Sequence, residues 1–409
     1  MARVLFGWEL GGGIGYASRL TLIARVLADF GHEPVMAMRD PAEVWPVLDR
    51  NGLSAIQAPY ITGRLKPGTN QFRPAGFADL MACNGFGTSD HLLPLLQAWH
   101  ALLDAVDPML VVAEYSPVLT LAAYGRVPLV LIGTGYLLPP ADTPWLPVIR
   151  QDWAPYADQR AILAAMTAAQ QRLKRPVPPT ISAAFAAAER FVYVFPELDP
   201  YAEGRREPAL GPFVMPAPIP PPEGQPRLYA YLNPAANNFP SLVRGLAQAG
   251  IAAECYLPGC PAIASDVLLA AGIKLHGEPP PLASAVSASS VVLHHGGIDT
   301  SQIALALGRP QILAPRHLDQ EVTAASLERL GAGIRLRGDA NPESVALALR
   351  RMVGDAAMAS RAAIIGSGLQ ERFAQGSLTA LVRACLGLLA RQTKARTGII
   401  GREGVVAPG

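Results

Sequence analysis

The sequence has few cysteines, no long apolar run and no block of charge of one sign. Its four cysteines show neither Cys-x-x-Cys spacing nor a histidine cluster beside them, which argues against a zinc site and against a secreted disulfide framework. No apolar stretch reaches the roughly 18 residues of a membrane-spanning helix, and the N-terminus lacks a signal-peptide core. The net charge is +2 without any Lys/Arg-rich run, so nucleic acid is not expected as a partner. We therefore expect a cytoplasmic protein without a transmembrane segment.

The chain is long enough for two domains. Its 409 residues, half of them apolar, exceed what one hydrophobic core normally supports. Short β-branched segments alternate with helical patterns in both halves, which is typical of parallel sheets covered on both faces. These features predict an α/β fold with two Rossmann-like parallel-sheet domains.

Proline density indicates where the first domain ends. The prolines of residues 213–226 disfavour helix and sheet interior and favour an extended linker. We place an N-terminal domain at residues 1–217 and a C-terminal domain at 218–376. An amphipathic helix is expected at 377–392, with a flexible tail at 393–409.

Three other segments carry specific expectations. Residues 62–88 are rich in Gly, Pro and Asn and predict a loop with at most one short helix. Residues 136–147 are apolar and punctuated by proline, as loops that build ligand pockets often are. Residues 181–189 are alanine-rich and predict a helix, followed by a strand near 191–194.

The most informative segment is 291–336. A short β-branched strand ends in His-His-Gly-Gly at residues 294–297, and a helix is expected to follow from Asp299 or Thr300. Helix N-termini carry unpaired N–H donors and a partial positive charge, and paired glycines let a diphosphate approach the backbone. The pattern predicts an anion site at this strand end.

A second polar pair begins the next helix. Asp319 and Gln320 place a carboxylate and a carboxamide there, and both suit sugar hydroxyls. Together with the intervening Ala-Leu-Ala-Leu-Gly-Arg-Pro and the later Leu-Gly-Ala-Gly, this segment resembles the donor-binding signature of the family 1 nucleotide-sugar glycosyltransferases. These inverting GT-B enzymes include the UDP-glycosyltransferases of plants and the bacterial antibiotic and macrolide glycosyltransferases.

The resemblance implies a fold, an activity and a set of partners. The fold would be GT-B, with two Rossmann-like domains facing a central cleft and the last helix crossing back to the N-terminal domain. The activity would be inverting, metal-independent transfer of a hexose from a UDP- or dTDP-sugar to a small-molecule or lipid-like acceptor. The nucleotide sugar is a co-substrate, and no cofactor or metal is expected. Peripheral membrane contact and a homodimer are left open.

The resemblance also assigns the donor site residue by residue. The Gly-rich loop at 11–16 resembles the first loop of the same family, and Leu282 lies in the loop that holds the base. The donor residues so assigned are His295, Gly296, Gly297, Thr300, Ser301, Asp319, Gln320, Leu282 and Gly13. Simpler roles remain for some of them, since His295 could be a core histidine and Asp319 could cap its helix.

Two departures from the family pattern stand in the donor loop. Ile298 and Asp299 replace the usual small residue and Gly or Asn. A carboxylate beside a diphosphate is electrostatically unfavourable. Asp299 either caps the helix or pairs with a cationic group, so the donor sugar and the base stay open.

The position of the catalytic base also departs from the family pattern. Tyr16 stands where the family usually has the histidine that deprotonates the acceptor, and a phenol is a poor base at neutral pH. Glu114, at a strand end, and Asp90, beside His91, are the alternative candidates, with Glu9 as a third. Each also has a structural interpretation: Glu114 as a cap of the next helix, and Asp90 as part of an N-cap.

Two other functions fit the same motifs. A nucleotide-sugar epimerase of this fold would turn over the donor without an acceptor. A catalytically silent GT-B protein would bind the donor or a partner only, as Tyr16 and Asp299 allow. The acceptor itself cannot be named: Trp8, Trp145 and Trp153 suggest a flat or lipophilic one, but they could equally pack the core.

Overall fold

The computed structural model describes residues 1–61 and 73–403. Within them the chain forms two compact units. The first comprises 1–193, 201–209 and the C-terminal segment from 378, and the second comprises 194–200 and 210–377. The structure thus divides the chain at 193/194, 200/201, 209/210 and 377/378, and the division at 209/210 lies eight residues before the predicted boundary at 217/218.

The first unit is built on a six-stranded parallel sheet with the order β3-β2-β1-β4-β5-β6. Its strands are β1 (Arg3–Trp8), β2 (Glu33–Met38), β3 (Ala55–Gln57), β4 (Leu110–Glu114), β5 (Leu129–Gly133) and β6 (Glu189–Val192). The central strands β4 and β5 are buried along their whole length, as expected when helices cover both faces of a parallel sheet.

Six helices connect these strands. They are α1 (Gly15–Asp29), α2 (Pro41–Asp49), α3 (Phe77–Met81), α4 (Ser89–Val106), α5 (Pro117–Ala123) and α6 (Gln159–Arg172), with a π turn at Ala82–Phe86 and a 3₁₀ turn at Ser182–Phe185. Of the segment 62–88 predicted as a loop, residues 62–72 lie outside the described residues. The remainder contains α3 and the π turn.

The second unit repeats the architecture. Its sheet has the order β12-β11-β10-β7-β8-β9, with β7 (Arg227–Tyr231), β8 (Ala252–Tyr256), β9 (Lys274–His276), β10 (Val291–His294), β11 (Gln311–Leu313) and β12 (Gly333–Arg335). Its helices are α7 (Phe239–Ala249), α8 (Ala262–Ala270), α9 (Leu282–Ser287), α10 (Ile298–Ala306), α11 (Leu318–Arg329), α12 (Pro342–Val353) and α13 (Ala356–Arg372), with a 3₁₀ turn at Pro196–Leu198. Two parallel sheets covered by helices confirm the predicted fold class.

In both sheets the order of the strands reverses at one place. Counted from its first strand, each has the order 3-2-1-4-5-6, which is that of dinucleotide-binding domains. In such sheets ligands bind at the carboxyl ends of the strands, where the strand order reverses. These switch points lie between β1 and β4 in the first unit and between β7 and β10 in the second. Both motifs singled out in the sequence follow strands at these points.

The C-terminal helix α14 (Leu378–Glu403) belongs to the first unit and packs against α1 and β4. It continues past residue 392, where a flexible tail was expected, because the helical pattern is not interrupted by proline before 403. Residues 404–409 of that tail lie outside the described residues. No helix in the described part of the chain is long and apolar enough to cross a membrane.

The proline-rich segment 213–226 is not a free linker but part of the second unit. Arg309, only 1% exposed, anchors it from the turn after α10. Its guanidinium donates to the carbonyl oxygens of Ile219, Pro220, Ser287, Ser289 and Leu307. Gln370 of α13 adds a bond to Pro216 O at 3.0 Å. The predicted linker is therefore fastened to the second unit at Pro216, Ile219 and Pro220.

Arg309→Ala should destabilise the second unit by about 3 kcal/mol or more, because buried carbonyl groups would lose their donors. Urea denaturation followed by far-UV circular dichroism measures the change. The control is Arg337→Ala, which breaks an exposed pair with Asp339 and should cost less than about 1 kcal/mol. Equal effects of the two substitutions would contradict the anchoring role of Arg309.

Candidate functional site: a glycine turn and an aromatic sheet edge

The switch point of the second sheet carries the two glycines of the sequence motif. Gly296 has φ +89, a left-handed conformation that glycine adopts without strain. A Cβ on it would lie 2.9 Å from the Gln320 carbonyl oxygen, so the turn after β10 is held against the start of α11. Gly297 is different: its φ is −60, and a Cβ built there meets nothing within 4 Å. The chain thus leaves open space beside Gly297.

The two histidines before these glycines fix the turn from inside. His294 Nε2 lies 2.9 Å from Gln311 Oε1, and its Nδ1 accepts the Gly296 N–H at 3.1 Å. His295 Nδ1 lies 2.7 Å from Ala314 O, and its Nε2 accepts the Asn233 N–H at 2.8 Å. His295 therefore links the carboxyl ends of three strands, β7, β10 and β11, across the switch point.

These contacts bear on the role predicted for His295. Both of its ring nitrogens have partners within the chain, so it offers no N–H to a phosphate in this arrangement. Gly296 likewise directs its N–H to His294 rather than outward. For His295 to donate to a phosphate, the hydrogen bond from the Asn233 N–H to Nε2 would have to break. The ring proton would also have to move to Nε2. His295 therefore holds the turn after β10 to the ends of β7 and β11.

Burial keeps both imidazoles neutral. It lowers the pKa of His294 to about 4 and also lowers the pKa of His295, although the bond to Ala314 opposes the shift. As the pH falls, the unfolded chain takes up these protons before the folded protein does. The stability that His294 contributes is complete above the ordinary value of about 6.5 and is lost as the pH falls towards 4.

We expect the free energy of unfolding of the second unit to fall by about 3 kcal/mol between pH 6.5 and 4 through His294 alone. Urea denaturation at several pH values measures the slope. His294→Gln should reduce the slope, whereas His91→Gln, at an exposed position of the first unit, should leave it unchanged. An unaltered slope in His294→Gln would contradict the assignment.

The predicted anion site lies at the first turn of α10. The helix begins at Ile298 with Gly297 as N-cap and without a side-chain cap, so it starts before the Asp299 or Thr300 predicted from the sequence. Thr300 and Ser301 are buried inside the helix and do not cap it. Helix geometry leaves the first-turn amides without partners of their own. The backbone at Gly297 and Ile298 supplies the donors predicted for an anion.

Asp319 and Gln320 lie half-buried in the first turn of α11, directly after the adjacent strand β11. Asp319 Oδ1 contacts His317 Nδ1, and its side chain does not cap the helix. Gln320 Oε1 accepts the Arg316 N–H at 2.9 Å. The structure therefore brings the predicted sugar-binding pair to the same edge of the sheet as Gly297.

Leu282 begins α9 and packs, half-buried, against the cluster around Tyr229 and Val286. Tyr231 and Tyr256, at the ends of β7 and β8, are part of that cluster and lie 5.6 Å apart between ring centroids. The sequence analysis did not single out these tyrosines. Their positions at the last residues of neighbouring strands were the available signal.

In the first unit, the two carboxylates at the switch point, Glu9 and Glu114, both have hydrogen-bond partners within the chain. Glu9, 1% exposed, accepts the N–H groups of Val118 and Leu119 at 3.0 and 2.5 Å. Burial raises the pKa of Glu9 to about 8, while the two backbone donors oppose the shift. Glu9, and not Glu114 as one interpretation held, caps α5.

Glu114 is fully buried and is held by an arginine that the sequence analysis missed. Arg19 Nε and Nη2 lie 2.9 and 2.6 Å from Glu114 Oε1, and the Tyr193 hydroxyl donates to the same oxygen. The guanidinium lies 5.0 and 4.9 Å from the ring centroids of Tyr16 and Tyr193. Arg19 follows Tyr16 by one helical turn, which was the available signal. Glu114 is therefore the ion-pair partner of Arg19 in this structure.

Tyr16 lies in the first turn of α1 and stacks on Trp8, with ring centroids 5.3 Å apart and planes 14° apart. Gly13, assigned to the donor site, precedes it with φ +88 and open space around its Cβ position. Asp90 is exposed in the first turn of α4, whose N-cap is Thr88, accepting the His91 N–H. Tyr16, Glu114 and Glu9 therefore meet at one strand edge, while Asp90 begins another helix.

Within the described residues, no three His, Cys, Asp or Glu side chains gather closely enough to hold a metal ion. The predicted site is built instead from backbone amides, two neutral imidazoles and the start of α11.

Comparisons with known proteins agree with this architecture. Residues 269–386 match the family described as erythromycin biosynthesis protein CIII-like, C-terminal domain. The chain is 43% identical over 74 residues to the PGL/p-HBAD biosynthesis glycosyltransferase of Mycobacterium tuberculosis. That alignment covers 18% of this chain and 17% of the relative, so it spans less than a fifth of either protein.

Two solved structures share the fold over nearly the whole chain. The calicheamicin glycosyltransferase CalG4 matches with a TM-score of 0.68 and 21% identity, covering 95% of this chain and 98% of that one. The glycosyltransferase VinC, solved in complex with dTDP, matches with a TM-score of 0.62 and 17% identity, covering 95% and 100%. The fold is GT-B. In this fold, in the C-terminal family match and in the motif at residues 294–320, the chain is similar to the nucleotide-sugar glycosyltransferases.

Proposed function

We propose that the protein transfers a sugar from a nucleoside diphosphate sugar to a small-molecule or lipid-like acceptor, with inversion and without a metal ion. One observation carries the proposal: open space beside Gly297, at the N-terminus of a helix that begins where the sheet order reverses. A diphosphate can approach a backbone at such a point, and the helix N-terminus favours its charge.

In this proposal, the site acts by stabilising the leaving diphosphate. When the acceptor oxygen attacks the anomeric carbon, the bond to the phosphate oxygen breaks and negative charge grows on the diphosphate. The amides at the start of α10 stabilise that charge, and the clamps at His294 and His295 hold them in position beforehand. This electrostatic role is the reason we propose a metal-independent reaction.

The sugar is assigned to the start of α11. Asp319 and Gln320 present a carboxylate and a carboxamide beside the diphosphate site, and such groups bind sugar hydroxyls through hydrogen bonds. VinC was solved with dTDP, and this supports a dTDP- or UDP-linked donor for the present chain.

Titration calorimetry with UDP-glucose and dTDP-glucose, followed by incubation with a panel of small-molecule acceptors, tests the proposal. We expect binding of at least one donor, transfer that persists in EDTA, and an inverted anomeric configuration in the product by NMR. Absence of donor binding would refute the proposal. Retained configuration or loss of transfer in EDTA would refute the mechanism, and an epimerised donor without transfer would indicate an epimerase.

Tyr16→Phe should reduce kcat/KM by less than about tenfold, because the ring that stacks on Trp8 is kept and a phenol contributes little as a base at neutral pH. Steady-state transfer assays measure this. A loss of about a hundredfold or more would mean that the hydroxyl takes part in proton transfer.

A further inference from the structure

The outward face of α6 forms an open groove that the proposed reaction does not use. Its volume is about 440 Å³, and the residues that line it include Trp145, Arg160, Ala164, Thr167, Ala168 and Gln171. The α6 residues among them follow the helical repeat, so they lie on one face of the helix. The opposite face is buried, and α6 contacts α4. The groove is therefore the solvent side of a helix that is packed into the first unit.

Trp145 forms a wall beside the start of this groove. Gln159, in the first turn of α6, accepts the Leu146 N–H at 2.8 Å and donates to Leu146 O at 2.8 Å. These two bonds fix the loop that carries Trp145 next to the helix. Trp145 is nevertheless 41% exposed. Aromatic side chains that stay in water beside an open groove are typical of surfaces that bind another protein.

The two ends of the groove carry polar side chains without partners. Arg160 and Gln171 are eleven residues apart, which places them on the same face at a separation of about 16 Å. Both are exposed, and neither side chain has a hydrogen-bond or ion-pair partner within residues 1–61 and 73–403. The N-cap residue Asp158 uses its carboxylate to accept the backbone N–H of Arg160. The Arg160 guanidinium is thus available to a second molecule.

A second copy of α6, running antiparallel to the first, would satisfy both ends at once. With a two-fold axis at the centre of the groove, between positions 165 and 166, Arg160 of each copy meets Gln171 of the other. Each guanidinium then lies at the C-terminal end of the opposite helix, where unpaired carbonyl groups attract a cation. Ala164 meets Thr167 near the axis, and these short side chains allow the two helices to approach closely.

We propose that this face joins two copies of the chain through an antiparallel pair of α6 helices flanked by Trp145. The face suits a protein better than a lipid surface, because alanine and threonine stand at its centre and a membrane-bound helix needs bulky apolar side chains there. A contact of one helix and one loop belongs to the small class of interfaces, near about 1,000 Å². The dimer is therefore weak, and its existence does not depend on the proposed reaction.

Sedimentation equilibrium of the full chain over about 1 to 200 µM tests the proposal, since small interfaces give weak complexes. We expect the average mass to rise with concentration from 43.2 kDa towards twice that value. A mass of 43.2 kDa at every concentration would overturn the inference. Growth beyond two copies would overturn it as well, because a two-fold contact closes on itself.

Exchanging the charges at the ends of the groove tests the antiparallel arrangement. Arg160→Glu places a carboxylate at the C-terminal end of the opposite helix, and Gln171→Arg sets arginine against arginine. Each should weaken association at least tenfold. The two substitutions in one chain pair Glu with Arg twice in each dimer and should restore association. Failure of the double variant to associate would contradict this arrangement.

Arg337→Glu is the matched control for these charge changes. Arg337 is exposed and lies in the second unit, so the substitution alters the net charge as Arg160→Glu does and should leave association unchanged. An equal loss of association in the control would mean that net charge, and not the groove, governs the self-association.

Ala164→Glu tests the centre of the groove. Ala164 is exposed and glutamate is a good helix former, so the midpoint of urea denaturation should change little while the protein stays monomeric. Undiminished association of this variant would contradict the proposal. So would binding of the unsubstituted protein to vesicles of phosphatidylcholine and phosphatidylglycerol that Ala164→Glu abolishes, because the face would then contact lipid.

Discussion

Gly297→Ala should abolish most nucleotide-sugar binding while leaving the protein as stable as before. The backbone at Gly297, φ −60 and ψ 136, is open to alanine, and the added Cβ meets no atom of the chain within 4 Å. If the diphosphate occupies that space, the methyl group collides with it. We expect a loss of affinity of about a hundredfold, or roughly 3 kcal/mol, measured by titration calorimetry.

Two further substitutions serve as controls for this result. Gly296→Ala introduces a Cβ at φ +89 and 2.9 Å from the Gln320 carbonyl, so it should lower stability as well as binding. Gly338→Ala, at an exposed position with open space around the Cβ, should change neither. Full donor affinity in Gly297→Ala would show that the diphosphate does not bind beside this residue.

His295→Ala is a less direct test of the same site. It would remove the bonds to Ala314 and Asn233 together, so a loss of donor binding would follow from a displaced turn even if the imidazole never touched a phosphate. The glycine substitution changes the space available to the ligand and leaves these clamps in place.

The second large effect is expected at the Arg19–Glu114 pair. Glu114→Gln leaves the guanidinium, whose side chain is 13% exposed, without its counter-charge, and breaking a buried ion pair costs about 3–5 kcal/mol. All five tryptophans, at positions 8, 45, 99, 145 and 153, belong to the first unit. Urea denaturation followed by tryptophan fluorescence therefore reports this unit selectively.

Variants of Arg19 and Glu114 distinguish a structural role of the ion pair from a catalytic role of Glu114. The double substitution Arg19→Met with Glu114→Gln should recover part of the lost stability, because no buried charge remains. Arg396→Ala, which removes an exposed pair with Asp107, should cost less than about 1 kcal/mol. If Glu114 were the base, Glu114→Gln would lower kcat about a hundredfold or more while Arg19→Met would not. We expect the single substitutions Glu114→Gln and Arg19→Met to lower kcat by similar factors.

Local sequence patterns were sufficient to predict the turn on which the proposed donor site is built. The change from β-branched residues to His-His-Gly-Gly and then to a helical pattern depends on neighbours in the chain, and the structure places the turn there. The helix begins at Ile298, before the predicted Asp299 or Thr300. The prediction missed this start because Ile298 is apolar and the N-cap is Gly297, which has no capping side chain.

Contacts between distant residues were not predictable in the same way. The cap of α5 by Glu9 joins residues 109 positions apart, and the Arg19–Glu114 pair joins residues 95 positions apart. A single sequence gives the residue types but not which carboxylate reaches which donor. The base candidates therefore stayed open until the fold placed them.

Tertiary pairing also overrode local propensity at residues 181–189. Their alanine content favours a helix, yet the structure has only the turn Ser182–Phe185, and Glu189 already belongs to β6, which pairs with β5. The hydrogen bonds of the sheet outweigh the helix preference of this short segment, since such propensities are small per residue.

A crystal structure of the protein with dTDP or UDP tests the central claim most directly. We predict the diphosphate at the start of α10, with phosphate oxygens within hydrogen-bonding distance of the Gly297 and Ile298 amides and the open side of Gly297 filled. A nucleotide bound elsewhere, with that space still open, would contradict the account.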